Sequence, residues 1–242
     1  MTNINSKSMH RHTFDFLQTY LGLAMKTDAQ LQLDVIAELK YEASVNEANI
    51  GVSVKDGIVS LSGNVDNYFE KFHAEKATQR VSGVRGVAME IEVKLPGNAI
   101  KSDSDIAHTI DNIISWSSLI SKETIQVKVE KGWVTLTGQV KWHHQRAMLN
   151  SSIIHLMGVV GVSDQITIKK DVSKSVVKSD ILDALNRRAL TDASEVDVAI
   201  NGGEVTLSGK VHSWNERAIV KHAVWANKDV SRVVDKLEMY DL

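Results

Sequence analysis

Histidine is the side chain best able to move protons or hold a metal near neutral pH. The chain has nine: His10, His12, His73, His108, His143, His144, His155, His212 and His222. No pair on one helix has a carboxylate at metal-binding spacing, and His143 and His144, as neighbours, would leave a helix in different directions. The sequence has no cysteine, which excludes disulfides, thiolate metal sites and thiol nucleophiles. No Ser-His-Asp order or carboxylate pair recurs where the chain repeats itself. The expectation is a protein that is not an enzyme, with no metal and no cofactor.

A second possible chemistry is phosphate binding by glycines. The line "DGIVSLSGNV" (56–65) returns as "KGWVTLTGQV" (131–140) and "GGEVTLSGKV" (202–211). A phosphate loop sets its glycines between a strand and a helix N-terminus, with a Lys-Ser/Thr pair behind them. Here Gly57, Gly132 and Gly203 fall in hairpins, and no such pair follows Gly63, Gly138 or Gly209. The first glycine of each line, with the residue before it, supplies the positive φ of a two-residue turn. The second is expected to end the return strand, at a bend or a close approach of helix to sheet. All six are read as structural.

A third chemistry is interfacial recognition. From 101 to 170 there are eight basic and six acidic residues, against seven and ten in 31–95 and ten and twelve in 171–242. The same cationic stretch holds three of the five tryptophans. Trp133 follows a hairpin glycine where the aligned residues are Ile58 and Glu204, so the position is exposed at least in part. Trp116 stands in "SWSSLIS". Indoles settle at the level of lipid headgroups while ammonium groups meet anionic phosphates. Trp116, Trp133, Lys131, Trp142, Lys141 and Arg146 therefore form the candidate binding set, with packing against a neighbouring unit as the alternative.

Four polar sets recur at aligned positions: Ser60/Thr135/Thr206, Ser62/Thr137/Ser208, Glu70/Gln145/Glu216 and Lys71/Arg146/Arg217. The hydroxyl sets alternate with core valines and leucines and belong to the open face of a sheet. The Glu/Gln set has the spacing of a capping box. The Lys/Arg set then falls in the first turn of a helix, where the dipole favours acids; it is read as exposed and as a hint of an anionic partner. No histidine recurs at an aligned position.

These residues are carried by a unit written three times. Each opens on a helical apolar stripe (Val35, Ile36, Leu39; Ile106, Ile110, Ile113, Ile114; Ile181, Leu182, Leu185) and continues with an alternating strand, a hairpin and a return strand. A second helix and a last strand follow, giving α-β-β-α-β. The middle copy is expected to carry four extra residues between its first helix and first strand. The third has Asp229 where the others have Gly83 and Gly158, which puts that turn in question. The expected division is an N-terminal extension with a helix at 1–30, then units at 31–95, 101–170 and 174–242. The links are "LPGN" (95–98), with Pro96, and "KKDVSKSVVKSD" (169–180).

The run G-x-V-x-L-x-G-x-V, a helix with spaced alanines, then V-x-G-V-x-x-V resembles the BON domain of bacterial osmotically inducible and nodulation proteins, in three tandem copies. The resemblance implies an α+β fold, three tandem αββαβ units, each a three-stranded mixed sheet with two helices on one face. It also implies a non-enzymatic binding module associated with envelope maintenance, osmotic stress and phospholipid. Some members resemble potassium-responsive binders, so a potassium or small-ligand sensor is the alternative, and an oligomeric protein scaffold a third.

With 43% hydrophobic and 24% charged residues the chain reads as globular, and a net charge of −2 argues against blanket nucleic-acid binding. No stretch approaches the ~20 apolar residues of a bilayer span, and the start lacks the pattern of a secretory signal. The expectation is a cytoplasmic protein, peripheral to a membrane if lipid is its partner. Phe14, Leu17, Leu21 and Met25 share one helical stripe without a lysine-rich opposite face, which favours docking on a unit or a homo-oligomer over the lipid surface.

Overall fold

The computed structural model describes residues 26–120, 124–169, 178–187 and 196–240. The apolar stripe at 14–25, and the helix and association expected of it, lie outside the described residues. The first unit consists of α1 (Asp28–Tyr41), β1 (Ile50–Lys55), β2 (Ile58–Val65), α2 (Tyr68–Arg80) and β3 (Gly86–Val93). The second consists of α3 (Asp103–Trp116), β4 (Ile125–Glu130), β5 (Trp133–Val140), α4 (His143–Ile153) and β6 (Gly161–Ile168). The third has α5 (Lys178–Arg187), β7 (Val196–Asn201), β8 (Glu204–Val211), α6 (Trp214–Trp225) and β9 (Arg232–Met239). In each unit the hairpin strands pair antiparallel and the last strand runs parallel to the second. This is the α+β arrangement expected, made three times.

Local signals explain the elements. Thr27 and Ser102 accept hydrogen bonds from the backbone N–H groups of Gln30 and Asp105, three residues on, and so start α1 and α3. Asn67 and Ser213 do the same for α2 and α6. Leu31, Val35 and Leu39 are buried at helical spacing and pack with Val59 and Leu61 of the sheet; Ile106, Ile110 and Ile114 meet Val134 and Leu136 in the same way. Burying these apolar faces stabilises each unit by about 25 cal/mol per Å² removed from water.

The first two units keep one offset of 75 residues, from Asp28 to Asp103, Ile50 to Ile125 and Ile58 to Trp133. The middle copy therefore has no extra residues after its first helix, and Val35 corresponds to Ile110 rather than Ile106. The four-residue difference lies between β6 and α5, and α5 as described begins at the place of Gln32. Ile36, placed in the buried stripe by its spacing, points outward.

Gly63 and Gly138 are bends, as expected, but inside β2 and β5, which run two residues further. Their φ angles are +123° and +127°, and a Cβ on either would lie 2.0 Å from the carbonyl oxygen of Asn49 or Thr124. The close approach is of backbone to backbone at the entry of the first strand, not of helix to sheet. In the first two hairpins both central residues have positive φ (Asp56 and Gly57, Lys131 and Gly132), whereas in the third only Gly202 does and Gly203 does not.

Aligned residues join the units. Tyr68, His143 and Trp214 are the first residues of α2, α4 and α6. Tyr68 packs on the core of the second unit. His143 stacks on Trp225 of the third, with ring centroids 4.4 Å apart and planes 13° from parallel. Trp214 packs on the core of the first. Two inter-unit clefts are equivalent as well: His212 faces Gly83 in one, and Asp66 faces Gly158 in the other. A head-to-tail contact that returns to its start is a closed ring. The three units form such a ring, with their second helices meeting end to end.

Candidate functional site

The middle unit separates its candidate residues into two groups. Lys131 and Trp133 lie at the tip of the β4–β5 hairpin. Asp103, at the start of α3, accepts the backbone N–H groups of Lys131 and Gly132 at 2.8 Å each, so the N-terminus of α3 is also at this end. Trp133 is 49% exposed. It pairs across the ladder with Gly161 and lies flat enough over it that a Cβ on Gly161 would come within 2.4 Å of the indole. The ring covers a glycine rather than standing free.

Trp116, the last residue of α3, is at the opposite end, as are Lys141 and Trp142 beyond β5. Eight residues of strand separate the groups by roughly 25 Å. Trp116 is 88% exposed and Trp142 38%. Trp142 stacks on His144 at 5.5 Å. Beside it opens a cleft of about 420 Å³ whose walls include Leu119, Trp142, Lys141 and Lys169. Leu119 is itself an exposed apolar side chain, and both lysines are exposed. Spacing alone did not pick out Leu119 and Lys169; the convergence of the loop after α3 with the end of β6 does.

Arg146 is not the free cation its helix position suggested. Its Nε lies 2.6 Å from Oδ2 of Asp164 on β6, and Asp164 also receives the Asn150 side chain and, at 3.0 Å, the Ile166 N–H. Arg217 repeats the arrangement with Asp235 at 2.9 Å, joined by Lys221 at 3.1 Å. Burial pushes the Asp235 carboxyl up, but hydrogen bonds from Arg217, the Leu237 N–H and Lys221 outweigh it and hold the group below the usual carboxylate range. In the first unit Met89 stands where these acids do, and Lys71 reaches the Ile91 carbonyl at 2.6 Å instead. The recurring cations tie the second helix to the last strand.

The recurring Glu/Gln set is a second tie. Gln145 Oε1 accepts the backbone N–H groups of Lys141 and Trp142 at 2.8 and 2.9 Å, while its amide donates to the Leu119 carbonyl. Glu70 accepts the N–H of Asn46, in the same loop of the first unit, at 2.7 Å. Both side chains are buried. Gln145 joins the helix start to the loop before the first strand, and Glu70 reaches the same loop in its own unit.

His143 faces Arg146, His222, Asp164 and His144, and it is half-buried under Trp225. Burial first, then the charges of Arg146 and His222, push its pKa down to about 4. Among the described residues no three His, Asp or Glu side chains converge as a metal site requires, and no helix is long and apolar enough to cross a membrane.

The sequence profile of the BON domain matches residues 27–94, 102–170 and 173–239, and the chain belongs to the BON-domain family, in three tandem copies. No curated protein matches it. Among solved structures it is similar to CdsD, a structural protein of the type III secretion system of Chlamydia trachomatis. That match has 14% identity and a TM-score of 0.24, covering 86% of this chain and 92% of that one. The C-terminal domain of CdsD gives 16% identity and a TM-score of 0.22 over 88% and 98% of the two chains. The PrgH periplasmic domain gives 10% and 0.22 over 86% and 100%. Scores this low carry no functional argument.

Proposed function

We propose that the chain is a non-enzymatic binding protein that docks on an anionic phospholipid surface through the end of the middle unit bearing Trp116, Leu119, Trp142, Lys141 and Lys169. The observation that carries this reading is the coincidence of an indole 88% exposed with a second indole, a leucine and two exposed lysines at one end of one unit. An apolar surface rimmed by cations suits the boundary between headgroup and acyl chain, and each cation near such a surface contributes about 1 kcal/mol. An envelope or osmotic-stress role is what the family resemblance implies and has no support from the geometry. Lys131 and Trp133, at the other end, and Arg146, paired with Asp164, are left out of the contact.

Co-sedimentation with vesicles containing phosphatidylglycerol, compared with phosphatidylcholine alone, at low and high salt, tests the reading. Binding that needs the anionic lipid, weakens with salt and falls on Trp116→Ala supports it. Equal binding to neutral vesicles, or indifference to salt, overturns it. A thermal shift with potassium and none with sodium would favour the ion-sensor alternative, and oligomers in light scattering without lipid binding would favour the scaffold.

A further inference from the structure

The ring constrains where matching residues can lie. Rotation about an axis changes no height along it, so residues that align across the three units stand at one level of the ring. The contacts that establish the rotation are independent of the candidate site: Tyr68 on the second unit, His143 on the third and Trp214 on the first. The two equivalent clefts repeat the same relation.

Trp116 ends α3. The residue that ends α1 at the same alignment position is Tyr41, and the residue that ends α5 is Arg187. Tyr41 is 86% exposed, almost as far as Trp116. Tyrosine and tryptophan are the two side chains that settle at a membrane interface. Exposed Lys40 neighbours Tyr41. Net charge hid the first unit from this reading, because its acids outnumber its bases. Two of those acids, Glu38 and Glu42, are held by Arg80 at 2.7 Å each, which still leaves acids in excess, so the first unit offers an anchor rather than positive charge.

We infer that lipid contact is shared by two units, with Tyr41 of the first unit and Trp116 of the middle unit as paired interfacial anchors at one level of the ring. The inference rests on the lipid reading above and changes it from a single-unit contact to a multivalent one. Anchors on one rigid body act at high effective concentration, so the second adds its contact without a second cost of association.

The test uses the full chain and vesicles of phosphatidylglycerol and phosphatidylcholine, with Tyr41→Ala, Trp116→Ala, the double variant, and Ile58→Ser at the opposite end of the first unit. Thermal melts check folding, and both anchors are exposed enough for the variants to keep it. Tyr41→Ala is expected to weaken partitioning about fivefold, the double variant to compound the two losses, and Ile58→Ser to leave binding unchanged. Tyr41→Ala binding like the wild type while Trp116→Ala loses binding would overturn the two-unit contact and leave the middle-unit reading standing. Wild-type protein that ignores these vesicles would remove both.

Discussion

The middle and third hairpins differ in how they hold the same turn. In the middle unit Lys131, a residue with a Cβ, takes φ +51° beside Gly132 at +77°. That conformation is supported from outside by Asp103, whose carboxylate accepts both backbone N–H groups. The first unit repeats the device with Asp28, Asp56 and Gly57. The third unit has Gly202-Gly203, needs positive φ only at Gly202, and has Lys174 where the aligned acid would be. Its last turn changes as well. Gly83 and Gly158 have positive φ, but Asp229 does not, and its N–H is taken by the Asn227 side chain at 2.9 Å. The two strained turns come with a carboxylate clamp, and the glycine turn has a lysine at the aligned position. The strand register is kept between copies while the turns and their supports are not.

The largest effect is expected where no copy has an alternative. Gly138→Ala would combine a disallowed φ with a methyl 2.0 Å from a backbone carbonyl that cannot step aside. The expected loss is about 4 kcal/mol, or failure of the middle unit to fold. Gly97→Ala, with nothing within 4 Å of the new methyl, should leave the urea midpoint unchanged. A mild Gly138→Ala would mean that the strands separate there more easily than their register suggests.

Removing the clamp should cost less. Asp103→Ala leaves two turn N–H groups without their carboxylate and is expected to destabilise by about 2 kcal/mol. Adding Lys131→Gly should return about 0.5 kcal/mol by relieving the left-handed strain. If the two changes are simply additive in a double-mutant cycle followed by urea unfolding, the clamp and the strain are unrelated.

Much of this scaffold is legible in the chain before any coordinate. The alternation of Val59 and Leu61 or Val134 and Leu136 with hydroxyl residues specifies a one-sided sheet, and the hairpin glycines mark the turns. The site is less legible because it depends on which end of a strand a residue reaches. Lys131 and Lys141 look alike in sequence, yet β5 sets them apart and only Lys141 joins Trp142. Arg146 resembles a free first-turn cation until Asp164, eighteen residues away, is found opposite it. The correlation of Arg146 and Arg217 with Asp164 and Asp235, against Lys71 with Met89, was the available signal. The ring contacts were hidden by chemistry, since Tyr68, His143 and Trp214 share a position and no residue type.

That difference in type makes one ring contact sensitive to acid. Tyr68 and Trp214 do not titrate near neutrality, but His143 does, and its folded pKa of about 4 lies below the unfolded value of 6.5. The unfolded chain therefore binds the proton first. Stability from this contact is complete above pH 6.5 and is lost as pH falls toward 4. The whole shift would be worth about 3 kcal/mol, and a ring half open to water reduces that to about 1.5 kcal/mol. His143→Phe should flatten the pH dependence of the melting temperature across that window. An unchanged slope would place the acid sensitivity elsewhere.

The smallest effect belongs to the position that diverges most, the first residue of each return strand opposite the first of each last strand. It holds Ile58 over Gly86, Trp133 over Gly161 and Glu204 opposite Arg232. The last pair is an ion pair of 3.4 Å with the arginine side chain 63% exposed. A contact that open is screened by salt and holds two flexible side chains. Arg232→Ala should therefore change stability by less than about 0.5 kcal/mol. Trp133→Ala exposes the backbone of Gly161 and removes cross-strand packing, so about 1 kcal/mol is expected. Chemical denaturation of both variants orders them. A costlier Arg232→Ala would mean that the third sheet depends on its charged edge where the middle sheet depends on an indole.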